Sequence, residues 1–272
     1  MLAKTSSARL SAACYSGEAV APNLEELLGS PTGSAPLGAS PILLGRLLSP
    51  AIVCLEGVPG PPQEYPQLFP EELAALAGCA ASRAAQYAAS RTLAHQAFRE
   101  LGVPVVPLLN RADRSPVWPS GCTGSVSHTV SLCAVAVARS TSVRSIGIDL
   151  ELDTPLSEKL LSRVLSPHEF SALRASERQA GIALPEIAKL VFSAKESAYK
   201  CQYPVTQTFL GFHDAECDVN WESETFAIRI VAPSAPLGSL AGEPGAPLPA
   251  DFRLRGRFSR GNGHWATVVL LT

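Results

Sequence analysis

The chain has 272 residues, 46% of them hydrophobic and 17% charged, with a formal net charge of −2. Such a chain buries a full core, as one large domain or as two halves of ordinary size, and is not intrinsically disordered. It carries no global basic field of the kind nucleic-acid binders use, so no nucleic acid is expected as a partner.

The seven cysteines (Cys14, Cys54, Cys79, Cys122, Cys133, Cys201 and Cys217) are odd in number and scattered. With no Cys-x-x-Cys pair they suggest neither a zinc site nor a disulfide framework, and reduced thiols of a cytoplasmic protein are the expectation. Leu2 to Val20 lacks the continuous apolar core of a signal peptide. No apolar run approaches the roughly 18 residues of a membrane span, so a soluble protein without a membrane partner is expected.

Residues 1–40 are poorly patterned and close on Gly-Ser-Pro-Thr-Gly-Ser-Ala-Pro-Leu-Gly-Ala-Ser. That composition predicts a flexible leader. Ala51 to Leu55 reads as a short strand, stopped by the prolines and glycines of 57–62. A helix is predicted from Pro70, with Glu71 and Glu72 suited to its first turn and Leu73, Leu76 and Ala80 on one face. A second helix runs from Ser82 to Leu101 and ends at Gly102. Arg83 and Arg91 lie about 80° apart on it, and spacing alone reads them as part of a solvated polar face.

Val103 to Leu109 is strand-like and leads into a turn and the Pro-Val-Trp-Pro extension at 116–119. A loop or helix start is expected near Ser127-His128, then a strand through Cys133 to Ala138. The polar connector Arg139–Arg144 divides an N-terminal half, 41–141, from a C-terminal half, 142–272. Ser145 to Leu152 reads as a strand and Leu156 to Leu165 as a helix. Ser166 and Pro167 are N-cap and N1 of the next helix, and a further one covers roughly Pro185 to Cys201. The remainder alternates as β at 226–231, 252–258 and 264–271. A Pro/Gly-rich inserted loop at 232–250 interrupts it, and Arg253, Arg255 and Arg257 form a row on a solvent face.

Three blocks carry the chemistry: Gly-Ser-Val-Ser-His at 124–128, Ile-Gly-Ile-Asp-Leu-Glu at 146–151, and Phe-Ser-Ala-Lys-Glu-Ser-Ala-Tyr-Lys at 192–200. Strand alternation puts Asp149 and Glu151 on one face with Leu150 turned into the core. Two adjacent carboxylates repel each other, and a divalent cation relieves that repulsion. Glu196 and Lys200, four apart, share a helix face, which alone describes an ordinary surface pair. The apolar approach Leu190-Val191-Phe192 argues instead for a packed segment. Asp149, Glu151 and Glu196 thus suit a Mg²⁺ site, with Lys195 and Lys200 left for phosphate or leaving group. Gly124, Ser125, Ser127 and His128 form a weak phosphate cradle.

The order of Arg114 before Pro-Val-Trp-Pro, then Gly-Ser-Val-Ser-His, Gly-Ile-Asp-Leu-Glu and Phe-Ser-Ala-Lys-Glu-Ser-Ala-Tyr-Lys resembles the Sfp/enterobactin-type 4′-phosphopantetheinyl transferases. The resemblance covers about Leu48 to Pro204. It implies an α+β fold with a pseudo-twofold arrangement of two similar subdomains, each a small sheet packed on a helix, and coenzyme A bound between them. A serine of an acyl, peptidyl or aryl carrier protein, of the polyketide or nonribosomal peptide kind, would attack the β-phosphate and release adenosine 3′,5′-bisphosphate. By motif position Asp149, Glu151 and Glu196 would hold Mg²⁺, Glu196 would also deprotonate the serine, and Lys200 would stabilise charge on the pyrophosphate. Ser127, His128, Arg114, Asp149, Lys195 and Lys200 would contact the cofactor, as would Arg83 and Arg91 through a looser alignment. A monomer is implied. Gln86 departs from the acidic residue that related helices carry. A Mg²⁺-dependent nucleotide or pyrophosphate hydrolase, and a non-catalytic carrier- or coenzyme-A-binding module, are the alternatives.

Overall fold

The computed structural model describes residues 24–28, 43–65, 67–231, 237–242 and 247–272. The expected leader falls mostly outside the described residues, as does part of the expected 232–250 loop. In chain order the elements are α1 (Leu24–Leu27), β1 (Val53–Gly57), α2 (Pro70–Ala74), α3 (Ala81–Glu100), β2 (Cys122–His128), β3 (Cys133–Arg139) and β4 (Ser145–Leu152). They continue with α4 (Glu158–Val164), α5 (Pro167–Ala180), α6 (Leu184–Thr206), β5 (Ala215–Asn220), β6 (Thr225–Ile230), β7 (Leu254–Gly261) and β8 (His264–Leu271).

Two antiparallel sheets result, one of three strands in the order β1-β3-β2 and one of five in the order β4-β8-β7-β6-β5. Strand alternation decides which side of each sheet meets which partner. In β3, Val135 and Val137 pack on α3 with Ala94, Ala97 and Phe98. Its alternate residues Ala134, Ala136 and Ala138 pack with Ile146, Ile148 and Leu150 of β4 and Ala266, Val268 and Leu270 of β8. The two sheets therefore share one apolar layer, while α3 and α6 cover their outer faces. Trp265, Val269 and Leu271 of β8 join Ile187, Leu190, Val191 and Ala194 of α6 in the second core. Each such buried aliphatic side chain contributes roughly 1.5–3 kcal/mol relative to exposure.

Between the sheets, strands β2 and β4 meet edge to edge without a backbone ladder. Ser125 Oγ accepts from the Ile148 amide at 3.1 Å, and Ser127 Oγ accepts from the Leu150 amide at 3.0 Å. Helix α6 presses on the other side of β4 at Gly147, where a Cβ would lie 1.8 Å from the Ser197 carbonyl oxygen. Only glycine permits that approach.

Helix α5 begins as expected: Ser166 Oγ accepts from the Glu169 amide, and the Glu169 carboxylate accepts from the Ser166 amide. Other expectations need correction. The Ser127-His128 segment is the end of strand β2, not a loop or helix start, because its serines supply acceptors to the β4 edge. Residues 103–109 form no strand; just beyond them, Asn110 makes an isolated bridge to Pro116. Helix α2 is short and turns Leu73 outward at 50% exposure, whereas Glu72 is fully buried. Its carboxylate accepts from the Phe69 and Leu108 amides and bonds His95 Nε2 at 3.0 Å. Helix α6 runs past Pro204 to Thr206, closed by Gln207 in a left-handed conformation. In the arginine row, Arg257 is buried while Arg255 is exposed. Strand β5 adds a fourth C-terminal strand to the three expected at 226–231, 252–258 and 264–271. In the expected 232–250 loop, Leu237 and Leu240 are buried in the α6 core.

Candidate active site

A cleft of about 680 Å³ opens between α3, the 110–116 turn and β2 on one side and the C-terminal part of α6 on the other. Five arginines (Arg83, Arg91, Arg111, Arg114, Arg144) and Lys200 line it, against a single carboxylate, Asp113. On a chain of net charge −2 this concentrates positive potential in one place.

Each arginine is held differently. Arg83 Nη1 donates to His128 Nε2 at 2.5 Å. Arg91 leaves the expected polar face and is buried at the back of the cleft. Its Nε donates to the Leu108 carbonyl and its Nη2 to Asn110 Oδ1, and its guanidinium lies 3.8 Å from the Tyr87 ring centre. Arg114 sits at φ 70° in a turn closed by its amide on the Arg111 carbonyl. Arg144, in the segment between β3 and β4, donates to the carbonyls of Ser239 and Leu240. Across the cleft, Tyr203 Oη donates to Asp113 Oδ2 at 3.1 Å.

Burial, aided by Arg83, Lys200 and Arg91, pushes the His128 imidazole down to about 4. It is neutral at physiological pH and accepts from Arg83 through Nε2, so its proton resides on Nδ1.

Lys200 joins this cleft to the carboxylates. Its Nζ donates to Asp149 Oδ1 at 2.7 Å, to Ser127 Oγ at 3.2 Å and to the Ile148 carbonyl at 3.2 Å. Asp149 is 4% exposed and takes a further hydrogen bond from Ser127 Oγ at 3.1 Å. Its other oxygen, Oδ2, is buried with no hydrogen-bond partner. Glu151 pairs with Lys189 Nζ at 3.0 Å. Burial, then Asp149, raises the Glu151 carboxyl, opposed by Lys189. Burial likewise raises Glu196, with Lys200 opposing and Asp149 and Glu151 adding to the rise. A carboxyl raised in this way is a stronger base than an exposed one.

The structure thus brings Asp149, Glu151, Glu196 and Lys200 into one electrostatic cluster, with His128, Arg83, Arg91 and Arg114 on the adjoining cleft wall. Two expected cofactor contacts are placed elsewhere. Ser127 is buried, and its hydroxyl is saturated by two accepted bonds and one donated, so it positions Asp149 and Lys200 from beneath. Lys195 turns away from the cleft, 3% exposed, and donates to Glu169 Oε2 at 2.7 Å and to the carbonyls of Val164 and Phe212 at 2.8 Å. On α6, residues 195 and 196 face different sides, and the partner of Lys195 is the capping carboxylate of α5.

A second, mainly apolar pocket of about 180 Å³ lies beside Glu196, under Phe209, which is 71% exposed. Tyr199 lines both pockets and stacks on Tyr203 with ring centres 5.3 Å apart.

Among the described residues, no three His, Cys, Asp or Glu side chains stand ready-assembled around a metal position. The donor set nevertheless fits a hard divalent cation. Oxygen ligands are what such ions take, and the orphaned Asp149 Oδ2 is a buried acceptor lacking a donor beside two carboxyls whose ionisation it opposes.

A basic cleft that leads through a lysine to a carboxylate cluster suits phosphoryl-group transfer. Residues 70–138 match the family model for the 4′-phosphopantetheinyl transferase N-terminal domain, and 145–237 match that of the 4′-phosphopantetheinyl transferase superfamily. The chain belongs to this superfamily. It is 38% identical over 175 residues to the 4′-phosphopantetheinyl transferase Svp of Streptomyces mobaraensis, covering 63% of this chain and 69% of that protein. It is 33% identical over 203 residues to the 4′-phosphopantetheinyl transferase PptT of Mycobacterium tuberculosis, covering 75% and 86%. Enterobactin synthase component D of Escherichia coli is 32% identical over 149 residues, covering 54% and 66%. The protein transfers phosphopantetheine to carrier proteins with coenzyme A as co-substrate, and this reading is favoured over hydrolase and binding-module alternatives.

Arg111, Arg144, Lys189, Tyr203 and Asp113 escaped the sequence reading. Arg111 stood in view, three residues before Arg114 in the same polar turn. Arg144 was concealed as a connector residue, and Lys189 by its distance from the carboxylate it meets.

Proposed function

We propose that the arginine cleft holds coenzyme A by its phosphates and that the Asp149–Glu196–Lys200 cluster carries transfer of its phosphopantetheine to a carrier serine. The observation that carries this is the double membership of Lys200, which lines the basic cleft and is bonded to Asp149 at 2.7 Å. A pyrophosphate held by Arg83, Arg114 and neutral His128 comes within reach of the same ammonium, which can neutralise charge developing on the leaving 3′,5′-bisphosphate. Glu196, its carboxyl raised by burial, accepts the proton of the attacking serine. Asp149, through Oδ2, with Glu196 and Glu151, would hold Mg²⁺, which when bound polarises phosphoryl oxygens. The apolar pocket beside Glu196 suits the uncharged pantetheine arm, with Phe209 at its rim.

Three features of setting belong to the proposal. The carriers are those of polyketide or nonribosomal peptide synthases, the enzyme is a monomer, and it works in the cytoplasm. The six described cysteines are all free thiols, which suits a reducing compartment. Among the described residues no helix is long and apolar enough to cross a membrane.

The test combines the protein, coenzyme A, Mg²⁺ and several apo carrier domains. A phosphopantetheine adduct on the carrier serine is expected by mass spectrometry, and no adduct on any carrier would overturn the proposal. Asp149→Ala should abolish transfer while circular dichroism shows an intact fold. Retained transfer would show that the cluster is not the reaction centre.

A further inference from the structure

Lys189 belongs to none of the motifs that identify the family, yet it contacts the carboxylate cluster. It lies seven residues before Glu196, two helical turns, and therefore on the same side of α6. Lys189, Glu196 and Lys200 form a stripe of alternating charge facing Asp149 and Glu151 on β4. Lys200 engages Asp149 at 2.7 Å, and Lys189 engages Glu151 Oε2 at 3.0 Å. Both members of the second pair are largely covered, with side-chain exposures of 13% and 25%. Lys189 Nζ also stands 5.9 Å from the Phe192 ring centre, a second contact that keeps its ammonium on this face.

The consequence is an unequal sharing of the three carboxylates. Asp149 keeps Oδ2 free, and Glu196 has no lysine within ion-pair distance among the described residues. Glu151 is held. Any cation entering the cluster meets two available carboxylates and a third it must win from Lys189. This is consistent with the three carboxylates, brought together by the fold, not forming a ready-made cage among the described residues.

We infer that Lys189 is a positioning residue that competes with the divalent cation for Glu151 and so sets the metal affinity of the site. The inference rests on the reading of Asp149, Glu151 and Glu196 as cation ligands given above. It describes an intrinsic counter-ion that keeps the carboxylate satisfied before the cation arrives and lowers affinity for it.

The experiment measures Mn²⁺ binding to the full chain, without coenzyme A or carrier, by titration calorimetry and water-proton relaxation. Lys189→Met should bind Mn²⁺ about fivefold more tightly than the wild type, the worth of one partly screened ion pair expressed as an equilibrium constant. Lys189→Arg should bind as the wild type does. In a Glu151→Gln background the gain from Lys189→Met should vanish, because no carboxylate is left to release. Thermal unfolding in the absence of metal verifies that each variant is folded, with Lys189→Gln as substitute if Lys189→Met is not. A folded neutral variant that binds Mn²⁺ equally or more weakly, or that keeps its gain without Glu151, overturns the inference and leaves the metal site standing. Wild-type protein whose Mn²⁺ binding is absent, or survives Asp149→Asn, overturns the metal reading itself and this inference with it. A merely structural role for Lys189 would weaken binding on its loss, the opposite sign.

Discussion

Ser127→Ala removes one oxygen atom from the seam between the two sheets. Ser127 is 5% exposed and its hydroxyl is fully engaged: it accepts from Leu150 N at 3.0 Å and from Lys200 Nζ at 3.2 Å, and donates to Asp149 Oδ1 at 3.1 Å. Lys200 and Asp149 retain each other after the change. The Leu150 amide does not fare as well, because β4 is the edge of its sheet and the Leu150 N–H points away from β8, toward β2. An orphaned buried donor costs about 1–3 kcal/mol, and the lost bond to a charged carboxylate adds to this, so a loss of about 2–3 kcal/mol is expected. For a chain of this length that corresponds to a fall in Tm of roughly 4–6 °C. Equilibrium urea unfolding measures it, with Ser171→Ala as control: that hydroxyl is exposed on α5 and bonds the Pro167 carbonyl of its own helix, and its loss should stay within about 0.5 kcal/mol. A Ser127→Ala loss no larger than the control's would refute the reasoning, showing that water satisfies the Leu150 amide and the seam is wet.

The two lysines of the third sequence block should separate cleanly. Lys195→Met leaves the Glu169 carboxylate buried without its lysine and should cost about 3–5 kcal/mol in urea unfolding with little change in the kcat of the folded fraction. Lys200→Met, which strands buried Asp149 and so should also cost a few kcal/mol, should lower kcat at least a hundredfold; a kcat loss with Lys195→Met but not with Lys200→Met would exchange their roles. Gly147→Ala drives a methyl into the Ser197 carbonyl of α6, and a loss above about 3 kcal/mol or insoluble expression is expected, with a normal melting curve counting against the described packing. His128 has its folded value lowered from 6.5 to about 4, so across that interval the unfolded chain binds the extra proton and stability declines as pH falls, the contribution being complete above 6.5. Comparing urea midpoints of the wild type and His128→Asn from pH 7 to pH 4 checks this: the variant should lose less with acid, and parallel curves would contradict the shift.

Strand β4 was legible in the sequence because it obeys period two without exception. Ile146, Ile148 and Leu150 enter the shared layer, and Gly147, Asp149 and Glu151 face α6. Helix α5 was legible from Ser166-Pro167 because capping is local chemistry. Strand β2 was not. Glycine and serine are poor strand formers, and the reason they serve here is the β4 edge, more than twenty residues away, whose amides need hydroxyl acceptors. The same non-locality hid the burial of Arg91, which depends on a carbonyl at 108 and an amide oxygen at 110. It also hid Lys195, whose partner lies one helix earlier. Polar residues declare their type in a sequence but not their partner, and three of the arginines and lysines read as solvent-facing or cofactor-facing, Arg91, Arg257 and Lys195, are buried. The carboxylates of the site were visible as a set, while the lysine that divides them was not.

The serine seam also bears on how the chain comes together during synthesis. An edge strand with unpaired amides is a template for association with other chains. Here the β2 edge emerges from the ribosome ahead of β4, and its serine hydroxyls make it a poor template, since an invading strand finds side-chain acceptors where it needs a backbone ladder. When β4 follows, Ile148 and Leu150 fill those acceptors and both edges disappear together. Each half thus shelters the other's adhesive margin, and the strands that frame the reaction centre are the ones kept from aggregating.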